Sequence, residues 1–362
     1  MKIAFLNLYS GLANRGVERS ISELAKRLVK NHQVIIIQGG KQKTDYPVKV
    51  IDVQLGQNIT ETKLTWLSRF YLDRQSFKIF QFTLKAIPYF WKEKFDILIP
   101  ANGGWQSLIC RVLTWIQGTK MLITGRSGPG WDERFNLFCR PDIFVALTPA
   151  HQAWAEKYSA KSKIWQIPNG VDLEKFNPQI KPLEIDLPRP IILTVGAVSP
   201  WKRHELVLAA IAKINNVSWL LVGEGDKGYK EQLINQARQR LGRRFQHINV
   251  DLEQMPRVYT LAKVFTSAVQ PQEAFGNVFL EALATNLPIV TSADPSRKFI
   301  VENAGILVDP TDSSGYAAVL KAALTTSWGN LPRQQAEKFS WDAVVKNYEQ
   351  LFKQLYKTTL GA

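Results

Sequence analysis

Two carboxylates set eight residues apart, Glu273 and Glu281 in QEAFGNVFLE, flank Phe275 and Gly276 at the start of an apolar helical run. Gly276, Asn277 and Val278 open that run. Their free N–H groups and the positive end of the helix dipole can receive a phosphate. A carboxylate one or two turns inside can accept two ribose hydroxyls. Spacing alone leaves open a solvated helix glutamate beside a loop glutamate. Lys202 and Arg203 in GAVSPWKRHE follow a Val/Ile strand and stand at the next helix start, where cations can neutralise a diphosphate leaving group. Cations there oppose the helix dipole, which favours a functional over a merely solvated role.

Three glycine-containing turns add to the set. Gly223, Gly225 and Gly228 in VGEGDKG spell GxGxxG between a strand and a helix, with Asp251 further on. Alone this reads as a dinucleotide site. It opens neither the chain nor the first strand of its half, so a structural turn or a nucleotide-base contact stands beside that reading. Arg15-Gly16-Val17-Glu18 follows the first strand, where a glycine lets backbone approach a ligand. Pro168-Asn169-Gly170-Val171-Asp172 reads as a hinge turn.

The elements that must position these residues alternate in type. Strand-like Met1–Asn7, helical Val17–Val29 and strand-like Gln33–Gln38 form a βαβ unit, and near-continuous Val/Ile strands are those of a parallel sheet covered on both faces. Asp96–Pro100, Lys120–Thr124 and Ile143–Leu147 supply further strands. Between Pro168 and Pro190 five prolines interrupt all periodicity, as in a linker. A second α/β series follows: strands Ile191–Val195, Trp219–Val222, Val264–Ser267, Ile289–Ser292 and Gly305–Val308, with helices His204–Ile214, Tyr229–Leu241 and Asn277–Ala284. A terminal helix spans Trp341–Tyr356 with Ser340 as its cap. The expected domains are 1–168, a linker 169–190, 191–340, and a C-terminal helix 341–362.

The 362 residues suit two cores. No stretch is long and apolar enough to span a bilayer, and the amino terminus lacks the regions of a signal peptide, so a cytoplasmic location is expected. Cys110 and Cys139 lie far apart with no metal-ligand spacing and read as buried thiols; no metal site is expected. The net charge of +15 suits anionic small substrates or an anionic membrane; no nucleic-acid-binding motif accompanies it. Residues Thr65–Lys94 mix aromatics (Trp66, Phe70, Phe77, Phe80, with Leu84) at helical spacing with Lys and Arg. Core-facing helices and a membrane-binding face both fit this pattern, the first being the commoner outcome.

Taken in order, RGVE, IPNGVDLEKFNP, TVGAVSPWKRHELVLAAI, WLLVGEGDKG, and PQEAFGNVFLEALATNLPIVTS followed by AGILVDPTD resemble the retaining glycosyltransferases of family 4, also called glycosyl transferases group 1. The resemblance covers nearly the whole chain. It implies an α/β GT-B fold, two Rossmann-like doubly wound domains facing across a cleft, with the acceptor on the first, the nucleotide-sugar donor on the second and the C-terminal helix crossing back to the first. It implies that Glu273 meets a donor-sugar hydroxyl near the anomeric carbon, Lys202 the diphosphate and Glu281 the ribose. Gly276, Asn277 and Val278 would cradle the distal phosphate, with Gly16, Gly196 and Gly223 lining the donor. No cofactor beyond the nucleoside-diphosphate sugar and no metal is implied; attack would be front-face, with a phosphate oxygen as base. The implied activity moves a hexose to a saccharide or lipid-linked acceptor in envelope polysaccharide or glycolipid synthesis; the basic, aromatic stretch adds the expectation of a place at the inner membrane face. Three departures stand out. Ala197 replaces the arginine usual after Gly196, leaving Arg203 to substitute. LITGRSGPGWDERF lacks the usual first-domain histidine, so Arg126 or Asp132 would face the acceptor region. Asp294-Pro295-Ser296 replaces a double glycine. The alternatives are a sugar-nucleotide-binding relative without catalysis and an NAD-dependent oxidoreductase using the Gly223 turn.

Overall fold

The computed structural model describes residues 1–12, 16–41, 48–55, 70–159 and 161–360, without the side chains of 356–360. Arg15, Trp66 and the start of the aromatic stretch lie outside the described residues. The chain divides into two units, Met1–Asn169 with Val344–Ala362, and Gly170–Ala343.

The first unit is built on a seven-stranded parallel sheet: β1 (Lys2–Asn7), β2 (Gln33–Gln38), β3 (Lys49–Asp52), β4 (Ile97–Pro100), β5 (Lys120–Thr124), β6 (Ile143–Ala146) and β7 (Lys163–Gln166). Their order is β3-β2-β1-β4-β5-β6-β7, all neighbours parallel, so the winding reverses between β1 and β4. The inner strands bury every residue from Ile3 to Asn7 and from Ile97 to Pro100, as helices on both faces require. Those helices are α1 (Gly16–Leu28), α2 (Arg74–Glu93), α3 (Trp105–Gln117), α4 (Trp131–Phe138) and α5 (Pro149–Tyr158). Asp73 caps α2 by accepting from Gln75 N and Ser76 N, and Thr148 caps α5. α2 packs through Ile79, Phe82, Ala86 and Phe90; Phe77 and Leu84, read from spacing as candidates for the core, are exposed. The helical repeat was legible there, but the buried face lies opposite those two residues. Cys110 and Cys139 are buried free thiols.

The second unit carries a six-stranded parallel sheet of order β10-β9-β8-β11-β12-β13, from β8 (Ile191–Val195), β9 (Ser218–Val222), β10 (Phe245–Ile248), β11 (Val264–Ser267), β12 (Ile289–Ser292) and β13 (Gly305–Val308). Its winding reverses between β8 and β11. The helices are α6 (His204–Ile211), α7 (Lys227–Leu241), α8 (Met255–Tyr259), α9 (Asn277–Ala284), α10 (Pro295–Val301), α11 (Ser313–Thr325) and α12 (Leu331–Glu337). Trp219, Tyr316, Leu208 and Leu320 are among the fully buried residues of its core.

From Gly170 on, the proline-rich stretch expected as a linker groups with the second unit. Arg333 donates to the carbonyl oxygens of Leu173 (3.0 Å) and Phe176 (2.7 Å), and Val171 N donates to Phe339 O. Proline removes periodicity without preventing such side-chain ties. The last helix, α13 (Trp341–Leu360), belongs to the first unit from Val344 onward, as expected of a crossing C-terminal helix. Glu349 accepts from Asn31 Nδ2 at 3.1 Å and lies 2.9 Å from His32 Nε2, while Phe352 meets the His32 ring edge-on.

Candidate active site

In an open parallel sheet, ligands bind beyond the carboxyl ends of the strands where the winding reverses. In the second unit that point lies between β8 and β11, and the loops leaving these two strands carry Lys202 and Glu273. Lys202 ends a single 3-10 turn, Pro200–Lys202, and its Nζ donates to Glu273 Oε2 at 2.6 Å. Both side chains keep about a fifth of their surface exposed, 21% and 17%. The pair is therefore held together yet open to an incoming polar ligand.

Beside it, Gly276 stands at the N-cap of α9 with φ 86°. A Cβ there would come within 2.7 Å of the Phe279 ring, so both the backbone angle and the space call for glycine. No side chain caps this helix start, which leaves its first N–H groups presented with the dipole. Glu281, one turn in, is buried, and Tyr259 Oη donates to its Oε2 at 2.7 Å. Gly196 and Gly223 meet each other: a Cβ on Gly223 would lie 2.1 Å from Gly196 O. Gly225 is pressed against Val198 O in the same way, and Asp226 caps α7 through Tyr229 N. These contacts give the first two glycines of GxGxxG a packing reason in the approach of two strand-end loops.

Arg203 is placed otherwise than expected. Its backbone takes a left-handed turn (φ 49°), and its guanidinium donates to Ala268 O at 2.7 Å, Val269 O at 2.5 Å and Ser292 Oγ at 3.3 Å. It ties the β11 loop down through main-chain oxygens, a role that its position in the sequence did not suggest. A second tie was missed by sequence reasoning. Arg297 is wholly buried and bridges both oxygens of Asp294, at 3.1 and 3.0 Å. Its Nη2 donates to Glu273 O at 2.8 Å. The Asp294-Pro295-Ser296 sequence that replaces the glycine pair is thus an N-cap, Asp294 accepting from Ser296 N and Arg297 N, that anchors the arginine holding the Glu273 loop. The one signal in the sequence was Asp294 three residues before Arg297.

In the first unit the winding reverses between β1 and β4, and the ends of β4 and β5 line a cavity of about 530 Å³. Arg126 and Asp132 both line it, with Tyr71, Asn102, Trp105, Trp131, Glu133 and Asn136, which sequence reasoning did not name. Tyr71 Oη donates to Asp132 Oδ1 at 2.9 Å; burial and that carboxylate raise its pKa, so it remains a neutral donor. Glu133 is buried, and desolvation pushes its carboxyl up to about 7 against hydrogen bonds from Asn136 Nδ2 (3.0 Å) and Ser127 N (2.8 Å). Gly16 opens α1 and Glu18 accepts from Asn7 Nδ2 at 3.1 Å, tying that turn to the end of β1. His151 is buried against Phe144 and Trp154. Among the described residues no group of three His, Cys, Asp or Glu has the arrangement of a metal site.

Two family models cover these two halves in sequence: Glycosyltransferase Family 4 matches residues 14–175 and Glycosyl transferases group 1 matches residues 175–339. With its pair of doubly wound sheets, the chain belongs to the family 4, group 1 glycosyltransferases and has their GT-B fold. It is similar to spore coat protein SA of Bacillus subtilis, 28% identical over 219 residues, 52% of this chain and 58% of that one. The O-antigen chain mannosyltransferase B of Escherichia coli is 29% identical over 164 residues, covering 41% and 42%. The chain spans about half the length of the curated relatives it matches. Among solved structures, sucrose-phosphate synthase of Thermosynechococcus elongatus superposes with TM-score 0.78 at 23% identity, covering 99% of both chains. HepE of Anabaena in complex with UDP-glucose gives 0.73 at 18%, covering 99% and 100%. At these identities the superpositions speak for the fold.

Proposed function

We propose that the protein transfers a hexose from a nucleoside-diphosphate sugar, with retention and without a metal ion, to a saccharide or lipid-linked acceptor in envelope polysaccharide or glycolipid synthesis. The observation that carries this reading is the Lys202–Glu273 ion pair beyond β8 and β11, beside the uncapped start of α9. Lys202 and the amides of Gly276, Asn277 and Val278 stabilise the charge that develops on the leaving diphosphate, the task a metal serves elsewhere. Glu281 accepts ribose hydroxyls, and Glu273 holds a sugar hydroxyl beside the reacting carbon. A phosphate oxygen of the leaving group takes the acceptor's proton on the face being attacked, which preserves configuration. The structure of HepE with UDP-glucose supports a nucleotide-sugar donor. The cavity by β4 and β5 suits a polyol acceptor, with Trp105 and Trp131 as apolar faces and Asp132 as a hydroxyl partner.

A sugar-nucleotide binder without transfer remains the second reading. It is favoured by one specific observation: Ala197 supplies no cation and Arg203 is engaged by backbone carbonyls. Thermal shift with UDP, GDP, ADP and NAD first identifies the nucleotide that is bound. One nucleoside diphosphate at a hundredfold excess over Kd raises stability by about 2.7 kcal/mol. Glu281→Ala weakens that binding roughly ten- to a hundredfold, the worth of a charged hydrogen bond. Release of sugar from the matching donor then marks an enzyme; binding without release marks the second reading. A response to NAD alone refutes both.

A further inference from the structure

The exposed face of α2 is ordered in two rows. Phe77, Leu84 and Trp91 recur every seven residues and are 48%, 42% and 51% exposed. Lys78, Lys85 and Lys92 recur at the same interval beside them, the last two exposed and Lys78 half-buried. Seven residues is nearly two helical turns, about 10.5 Å, so each row runs straight along a helix about 30 Å long. The opposite face, Ile79, Phe82, Ala86 and Phe90, is spent on the core.

No acidic residue lies between Arg74 and Lys92. The two that bracket the helix are engaged. Asp73 accepts from Gln75 N, Ser76 N and Ser76 Oγ, and Glu93 is paired with Lys2 and Lys49. Lys85 Nζ donates to a backbone oxygen, that of Gln54, at 3.0 Å, and among the described residues it meets no carboxylate. α3, packed on α2, adds Val112, Trp115 and Ile116 at 48%, 59% and 63% exposure.

A large exposed apolar row flanked by cations is costly to leave in water and marks an interaction surface. Three features narrow its partner. The rows are straight and parallel, which fits a flat target. Aromatic and lysine side chains side by side suit the boundary between headgroups and acyl chains, where the ring enters and the ammonium stays wet. The lysine row and the net charge of +15 oppose a second copy of the same face and favour an anionic one. Among the described residues no helix is long and apolar enough to cross a membrane, so the contact is one of lying on the surface.

We propose that α2 docks flat on an anionic lipid bilayer, Phe77, Leu84 and Trp91 entering the interface and Lys78, Lys85 and Lys92 meeting lipid phosphates. The surface stands apart from the transfer reading, because its occupancy is measured without turnover.

The test is flotation of the full chain with vesicles of phosphatidylcholine alone and of phosphatidylcholine with phosphatidylglycerol. Binding is expected to the mixed vesicles and to weaken with salt. Replacing Lys78, Lys85 and Lys92 together by Gln lowers the partition coefficient roughly a hundredfold, from about 1 kcal/mol per lysine at about 1.4 kcal/mol per tenfold. Replacing Phe77, Leu84 and Trp91 together by Ser abolishes binding at any salt. All six positions lie off the buried face, and unchanged circular dichroism and melting verify the fold. Failure of the wild type to float, or variants floating as the wild type does, overturns the proposal. So does a dimer in sedimentation velocity, without vesicles, that the Ser variant dissociates, since that assigns the face to a second copy.

Discussion

His151 should make the first unit acid-labile. The residue is 1% exposed, packed between Phe144 and Trp154, and among the described residues neither ring nitrogen has a hydrogen-bond partner. Burial lowers its pKa from 6.5 to about 4. A base whose pKa is depressed by folding binds its proton more readily in the unfolded chain, so its contribution is fully present above pH 6.5 and is lost as pH falls toward 4. Taking 6.5 and about 4 as the unfolded and folded values, integration gives about 1.8 kcal/mol lost between pH 7 and pH 5, of an eventual 3.4 kcal/mol at roughly 1.36 kcal/mol per unit. His151→Leu removes the titration while filling a similar volume. Urea unfolding of wild type and variant at both pH values isolates the effect, because every other titrating group appears in both proteins and cancels. The stability difference, wild type minus variant, should become more negative by about 1.8 kcal/mol at pH 5. Parallel behaviour of the two proteins would show that the imidazole is hydrated or hydrogen-bonded in solution, and would refute the reasoning.

Glu133 should act with the opposite sign. Its carboxyl, raised to about 7 by burial, favours folding below pH 4.5, and the contribution is lost as pH rises through 7. Glu133→Gln should therefore gain on the wild type between pH 5 and pH 8, by about 2.5 kcal/mol, in denaturant titrations at each pH. Arg297→Met leaves the buried Asp294 carboxylate without its partner and should destabilise by about 3–5 kcal/mol, read as a fall in melting temperature. Glu273→Gln keeps the loop, which is held through a backbone carbonyl, but removes the charge facing Lys202. It should lower donor turnover by about a hundredfold or more with little change in nucleotide affinity. Unchanged turnover would remove Glu273 from the reaction.

The inner strands are legible because a parallel sheet covered on both faces demands near-continuous apolar runs, and β1 (Ile3–Leu6), β2 (Val34–Ile37) and β8 (Ile191–Leu193) have them. The strands not foreseen are the short outer ones. Lys49–Asp52, Lys163–Gln166 and Phe245–Ile248 stand at sheet edges, are partly exposed, and mix polar with apolar residues. The opening of α9 and the placement of Lys202 followed from strand-loop-helix order alone. What lay out of reach depended on which strands become neighbours. Arg297 meets Glu273 O across 24 positions because β12 lies beside β11, and Tyr259 meets Glu281 across 22. Likewise, the basic character of Arg203 was plain, but its left-handed backbone, which turns the guanidinium toward Ala268 and Val269, has no local signature.

Two arginines hold residues 268–275 by main-chain oxygens alone: Arg203 at Ala268 and Val269, Arg297 at Glu273 and Phe275. Every amino acid supplies the same oxygen. The path of this loop is therefore separable from its lettering, and side chains at Gln270, Gln272 and Ala274 can be exchanged while the scaffold beneath them stays put. For evolution, and for library design, that makes the stretch a place where new side chains can be tried one residue at a time without first rebuilding the backbone.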